Sequence, residues 1–246
     1  MTTSYSPDGA QQSRVRTYLI YLVLDTSESM RRNGNAQAHF ERLIPVMLQQ
    51  LAAHPVINGL AAASVVAFND NAETLRPMTS LDRAASIRKA KEGYGTDYAA
   101  VLRFLAKQHK VDVRAVKLDR TRDNYVVDVA APWIFFITDG RPFARNNDQE
   151  LSEWIVHRDQ LVNEPIGARI VAIGLPGSDR DTLYHLATGQ ADGVRNAFIA
   201  ERTNNLRELA ESVVSAIESS IATSASSGLL TIRTPDGMER IVGPRP

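Results

Sequence analysis

Blocks of unbroken apolar residues alternate along this chain with stretches whose apolar positions recur every three or four residues. Tyr18-Leu19-Ile20-Tyr21-Leu22-Val23-Leu24, 62–68 and Trp133-Ile134-Phe135-Phe136-Ile137 are too short for buried helices and too continuous for strands with one wet face. They predict strands covered on both faces. A further strand is predicted at 168–175, with shorter ones at 72–75 and 194–200. Phe40, Leu43, Ile44, Met47, Leu48 and Leu51 keep helical spacing, as do Leu151, Trp154, Ile155 and Leu161, and later Leu206, Leu209, Ala210, Val213, Val214, Ile217 and Ile221. Helices are also predicted at 81–91, 98–108 and 179–188, the last closed by Gly189 as a glycine cap. Pro45 lies inside the first helical pattern and predicts a kink or a late start.

Strands alternating with helices predict an α/β fold with a doubly wound, mostly parallel central sheet and helices on both faces. The turn Asn69-Asp70-Asn71 between 62–68 and 72–75 adds one antiparallel edge strand. Residues 1–16 are polar and predict a flexible lead; 17–222 form one domain. Within it, 109–131 mixes charges with Val-rich alternation such as Tyr125-Val126-Val127-Asp128-Val129, which predicts an insertion, either a small hairpin or a mobile loop. From 223 to 246 the pattern is a linker followed by a hairpin around Thr234-Pro235-Asp236-Gly237, since Pro-Asp-Gly is a strong turn signal. A hairpin of that size is marginal alone.

Composition narrows the function classes. Lys+Arg 28 against Asp+Glu 28 in 246 residues leaves no global charge to draw the chain to nucleic acid or acidic lipid. Cys 0 excludes a disulfide framework, a thiolate metal site and a cysteine nucleophile. The first 16 residues lack the apolar core of a signal peptide, and the longest early apolar run is far short of the ~20 residues of a membrane span. A cytoplasmic protein without a membrane span is expected.

Candidate chemistry sits at strand ends. Asp25-Thr26-Ser27-Glu28-Ser29 leaves the first strand with one carboxylate and two hydroxyls at alternate positions, all hard oxygen donors suited to a small divalent cation. Gly95-Thr96-Asp97 offers another hydroxyl before a helical pattern, and Thr138-Asp139-Gly140 ends the central strand on a carboxylate. In doubly wound sheets ligands bind at the carboxyl ends of strands, where Asp25 and Asp139 both fall. Each has a plainer alternative: a cap or Asx-turn for Asp25, Ser27 and Ser29, a helix cap for Thr96, a turn for Asp139. His39, His54, His109, His157 and His185 show no metal-ligand spacing.

Together the three segments resemble the metal-ion-dependent adhesion site (MIDAS) of von Willebrand factor A (vWA) domains, whose pattern is Asp-x-Ser-x-Ser, a Thr in a middle loop and an Asp after a central strand. Asp25, Ser27, Ser29, Thr96 and Asp139 fill its positions. The resemblance implies a Rossmann-like fold and a bound divalent cation, Mg²⁺ first, with Mn²⁺ or Ca²⁺ as alternatives. It also implies a non-enzymatic adaptor whose metal captures a carboxylate from a protein partner. The wording of the motifs is similar to intracellular bacterial vWA proteins associated with tellurite resistance and with stress or phosphorylation gene clusters. Glu28 departs from the pattern, in which a small residue stands between the serines; its side chain either points to solvent or folds over the site. Two other functions are weighed. A Mg²⁺-dependent phosphatase or phosphotransferase would use Asp25 as nucleophile, but Ser27 stands where the acid–base carboxylate is needed. A metal-independent scaffold would act through 109–131 or the C-terminal hairpin.

Overall fold

The computed structural model describes residues 13–32, 34–83, 85–122, 125–189, 194–200, 205–228 and 230–243. Along the chain these form β1 (Ser13–Asp25), α1 (Glu28–Arg32), α2 (Ala36–Ala53), β2 (Ala61–Phe68), β3 (Ala72–Ser80), α3 (Tyr98–Arg122), β4 (Tyr125–Val129) and β5 (Trp133–Thr138). Then follow β6 (Phe143–Ala144), β7 (Asn147–Asp148), α4 (Leu151–Val162), β8 (Arg169–Gly174), α5 (Arg180–Leu186), β9 (Ala197–Ile199), α6 (Leu206–Ser227) and β10 (Glu239–Arg240).

The sheet order is β10-β9-β8-β5-β1-β2-β3, with β4 beside the start of β1. β1 pairs in parallel with β2 on one side and β5 on the other. The chain winds outward from β1 to β2 and β3, then returns across β1 to β5, so the carboxyl ends of β1 and β5 flank the switch point. Leu24 is in register with Ile137, which brings Asp25 level with Thr138. The predicted antiparallel edge is β3 on β2, and the two-residue β10 pairs antiparallel with β9 at the far edge. Alternation along β1 divides two cores. Ile20, Leu22 and Leu24 join Phe40, Met47, Val213 and Ile217 under α2 and α6, while Leu19, Tyr21 and Val23 join Leu102, Leu105, Trp154 and Leu183 under α3, α4 and α5.

Several expectations are corrected. β1 begins at Ser13, inside the predicted lead, because Ser13 to Thr17 pair in parallel with β4; the rest of that lead lies outside the described residues. The 109–131 insertion is instead the second half of α3 followed by β4. Beyond Gln108 the inward face of α3 mixes buried Val116 with buried polar Asp112 and Arg120, which broke the apolar pattern. Asp112 accepts from the Tyr21 hydroxyl at 2.9 Å and from Gln108 Nε2 at 2.8 Å, and Arg120 donates to Gly59 O at 3.1 Å.

In place of the helix predicted at 81–91, the described residues form a turn at 81–83 and, from 85 on, an extended strap along the open edge of β3. Arg88 N–H donates to Leu75 O, and Lys91 N–H to Glu73 Oε1. The segment lacks an apolar stripe, and bonding to an uncovered strand edge satisfies its backbone instead. Pro45 sits within a continuous α2, so the late start is not seen. Gly189 is not the cap: α5 ends at Leu186 with Ala187 as its C-cap, and Gly189 bridges to Arg195.

The linker predicted from 223 is helical as far as Ser227, where Gly228 closes α6 at φ 75°. Buried Ser220 and Ser224 hold this last stretch, accepting the N–H groups of Arg233 and Thr231 at 2.9 and 2.8 Å. No hairpin forms between 230–233 and 238–242. Ile232 and Ile241 are buried on the domain, one in each core, and Glu239–Arg240 pairs with β9.

Candidate metal centre

Asp25 ends β1 fully buried, and the chain turns sharply after it. Ser27 N–H donates to Asp25 Oδ1 at 2.8 Å, the Asx-turn the plainer reading foresaw. That turn occupies one carboxylate oxygen only. The other, Oδ2, accepts from the Thr138 hydroxyl at 2.6 Å across the β1–β5 pair, and Thr138 Oγ1 in turn accepts Gly140 N–H at 3.1 Å. Ser27 Oγ lies 3.0 Å from Ser29 Oγ, and the Ser29 hydroxyl donates to Asp139 Oδ1 at 2.7 Å. Residues 110 positions apart are thus joined through one hydroxyl.

Thr96 reaches the same point through a different mechanism. Its N–H donates to Phe143 O at 2.8 Å and its carbonyl accepts from Phe143 N at 3.0 Å, fixing the middle loop against β6. A side-chain carbon added at Gly140 would lie 3.1 Å from Thr96 Oγ1 and 3.7 Å from Asp25 Oδ2. Glycine here lets three loops close on one another. The helix-cap alternative for Thr96 fails, because Asp97 Oδ1 takes that part by accepting Ala100 N–H at 2.7 Å. All five predicted site residues are therefore gathered at the carboxyl end of β1 and β5.

The electrostatics are one-sided. Burial raises the Asp25 pKa to about 7, and the neighbouring Asp139 charge pushes the same way, against the hydrogen bonds from Thr138 and Ser27 that lower it. Asp139 is 4% exposed. Arg31 turns its guanidinium to the carbonyls of Thr26 and Gly93, each at 2.8 Å, and so ties the Asp25 loop to the strap before Thr96. Arg141 lies 3.8 Å from Asp179. Glu28 pairs with Arg32 at 2.6 Å, one turn along α1, the solvent-facing alternative of the two. Among the described residues no group of three or more His, Cys, Asp or Glu side chains gathers to hold a metal. An ion at this point would be held by hydroxyls and two carboxylates, the donor set of a hard cation such as Mg²⁺. Two buried acids this close fit a doubly charged ion that balances them.

Sequence reasoning missed several residues. Thr138 orients Asp25 but looked like the end of a strand. Asp70 accepts Tyr94 and Gly95 N–H at 2.8 and 2.9 Å and sets the Thr96 loop, though its Asn-Asp-Asn setting signalled only a turn. Asn69 donates to Thr26 Oγ1 at 3.2 Å and to Lys91 O at 3.0 Å. The Tyr98 ring is fully buried beside Phe68, Phe136 and Trp154, and its hydroxyl has no hydrogen-bond partner. The sequence placed it only at the start of the helix predicted at 98–108.

Residues 20–141 match the family model described as von Willebrand factor type A domain. Solved structures share the fold. They include proximal thread matrix protein 1 from the mussel byssus with a zinc-occupied MIDAS motif, at 13% identity and TM-score 0.51 over 87% of this chain and 49% of that one. Von Willebrand factor type A from Catenulispora acidiphila aligns at 12% identity and TM-score 0.52, over 84% and 43% of the two chains. Pilus adhesin SpaC from Lactobacillus rhamnosus GG aligns at 13% and 0.54, over 88% and 31%. The chain thus spans about half the length of the mussel protein, and at these identities the likeness is one of fold. No curated protein matches this chain.

Proposed function

Because this chain carries a von Willebrand factor type A domain, we propose that it is a metal-dependent protein-binding module whose site is Asp25, Ser27, Ser29, Thr96 and Asp139. The observation that carries this reading is the Ser29 hydroxyl, which touches both Ser27 Oγ and Asp139 Oδ1 beside the buried Asp25. Ser27, Ser29 and Thr96 offer neutral oxygens, while Asp25 and Asp139 offer charge, directly or through water. Thr138, Gly140 and Arg31 hold these groups in place. A divalent cation in such a shell, rich in neutral ligands, supplies electrophilic pull on one further anionic oxygen. The partner group is a carboxylate from an acidic residue of another protein.

Mg²⁺ is the ion this oxygen set fits best, with Mn²⁺ and Ca²⁺ as competitors; the zinc recorded in the mussel neighbour supports a divalent ion at such sites. The module is non-enzymatic in this reading, since the position two after Asp25 is a serine engaged with Ser29. Its place in a bacterial stress-response or phosphorylation-linked complex rests on the wording of Asp25-Thr26-Ser27-Glu28-Ser29-Met30 and Thr138-Asp139-Gly140-Arg141-Pro142. Affinity capture on the immobilised chain tests the reading. A partner is held in Mg²⁺, released by EDTA and lost on Asp25→Ala with the circular dichroism spectrum unchanged. Partner retention that ignores both EDTA and the substitution contradicts it.

A further inference from the structure

The overall charge balance conceals a local excess on α3. Arg103, Lys107, Lys110 and Arg114 are all exposed and follow one another at spacings of four, three and four. At 100° per residue they form a band roughly 60° wide, and at 1.5 Å per residue about 17 Å long. Beside the band, seven residues apart, stand Val111 and Leu118, exposed to 58% and 59%. The acids of this stretch face elsewhere: Asp112 is buried against Tyr21, and Asp119 pairs with Arg83. Successive members of the band are like charges at i,i+3 and i,i+4, an arrangement that repels along a helix and is relieved by an anionic surface. On the adjoining α4, Leu151 and Val156 are also exposed, and Asp159 pairs with Arg158.

We propose that this face of α3 seats the protein on an anionic lipid bilayer, independently of the metal site. Phosphate or carboxylate headgroups meet the basic band, and Val111 and Leu118 enter the headgroup boundary. The exposed valine and leucine favour lipid over nucleic acid, whose backbone offers them no apolar contact. An acidic peptide is the competing occupant, and the test below separates the two. α3 lies along a face of the sheet, so the carboxyl end of β1 and β5 stays open to a protein partner.

Co-sedimentation of the full chain with phosphatidylcholine vesicles, with and without phosphatidylglycerol, tests this. Binding is expected only to the mixed vesicles, falling as salt rises. Lys107→Gln, Lys110→Gln and Arg114→Gln together weaken it about a hundredfold, at about fivefold per cation. Val111→Ser with Leu118→Ser also weakens it, while the circular dichroism spectrum and the Mg²⁺ titration stay unchanged in both variants. Equal binding to neutral vesicles, indifference to the glutamine substitutions, or displacement from mixed vesicles by a duplex oligonucleotide or polyglutamate overturns the proposal.

Discussion

At Asp25, burial and the nearby Asp139 charge both favour the protonated acid, with a pKa of about 7. Because the folded value is raised above the unfolded one, the metal-free fold is relatively stabilised below the unfolded pKa and loses that margin as pH rises toward 7. In EDTA the melting temperature is therefore higher at pH 5 than at pH 8; the interval from the unfolded pKa to about 7 is worth up to about 4 kcal/mol, and about two thirds of it falls above pH 5. Added Mg²⁺ recovers stability mainly at pH 8, where the acid is ionised. Asp25→Asn removes the pH dependence and the Mg²⁺ response together. A melting profile equally steep in Asp25→Asn would assign the titration elsewhere. At Gly140 the expected effect is on the site and not the fold. Gly140→Ala puts a methyl group 3.1 Å from Thr96 Oγ1, so Mg²⁺ affinity falls about tenfold with the urea midpoint little changed.

Among the elements, those read correctly are those whose pattern survives alone. β1, β2, β5 and β8 are continuous apolar runs, and α2, α4 and α6 carry apolar stripes, so burial dictated both type and place. Where a polar residue is buried by finding a partner, the pattern gave out. Asp112 and Arg120 made the second half of α3 look like an insertion, and Ser220 and Ser224 made the end of α6 look like a linker. Splitting α3 also hid its basic band. The candidate site was legible because its residues lie in short motifs at strand ends and before a helix, whereas Thr138, Asp70 and Arg31 act through bonds to distant loops. Tyr21→Phe leaves buried Asp112 with one hydrogen bond fewer, and should cost about 1–3 kcal/mol in urea denaturation. Gly228→Ala meets only ordinary contact, 3.6 Å from the Tyr18 hydroxyl, but at φ 75° it costs about 1 kcal/mol through the backbone alone.

For the molecule as a whole, the parallel order β5-β1-β2 sets two strand ends side by side, and the return of the chain through β3 and the strap brings Thr96 over them. Among the described residues no helix is long and apolar enough to cross a membrane. In the proposed reading cation capture depends on the three loops together, so loss of any one of the five site residues should abolish it without unfolding the domain. Calorimetric titration of Mg²⁺ and Mn²⁺ into the EDTA-stripped chain tests this most directly. One ion per chain is expected to bind, with no heat above dilution for Asp139→Ala carrying an unchanged circular dichroism spectrum. Silence from the parent chain with both ions, or the same isotherm from Asp139→Ala, would contradict the metal centre.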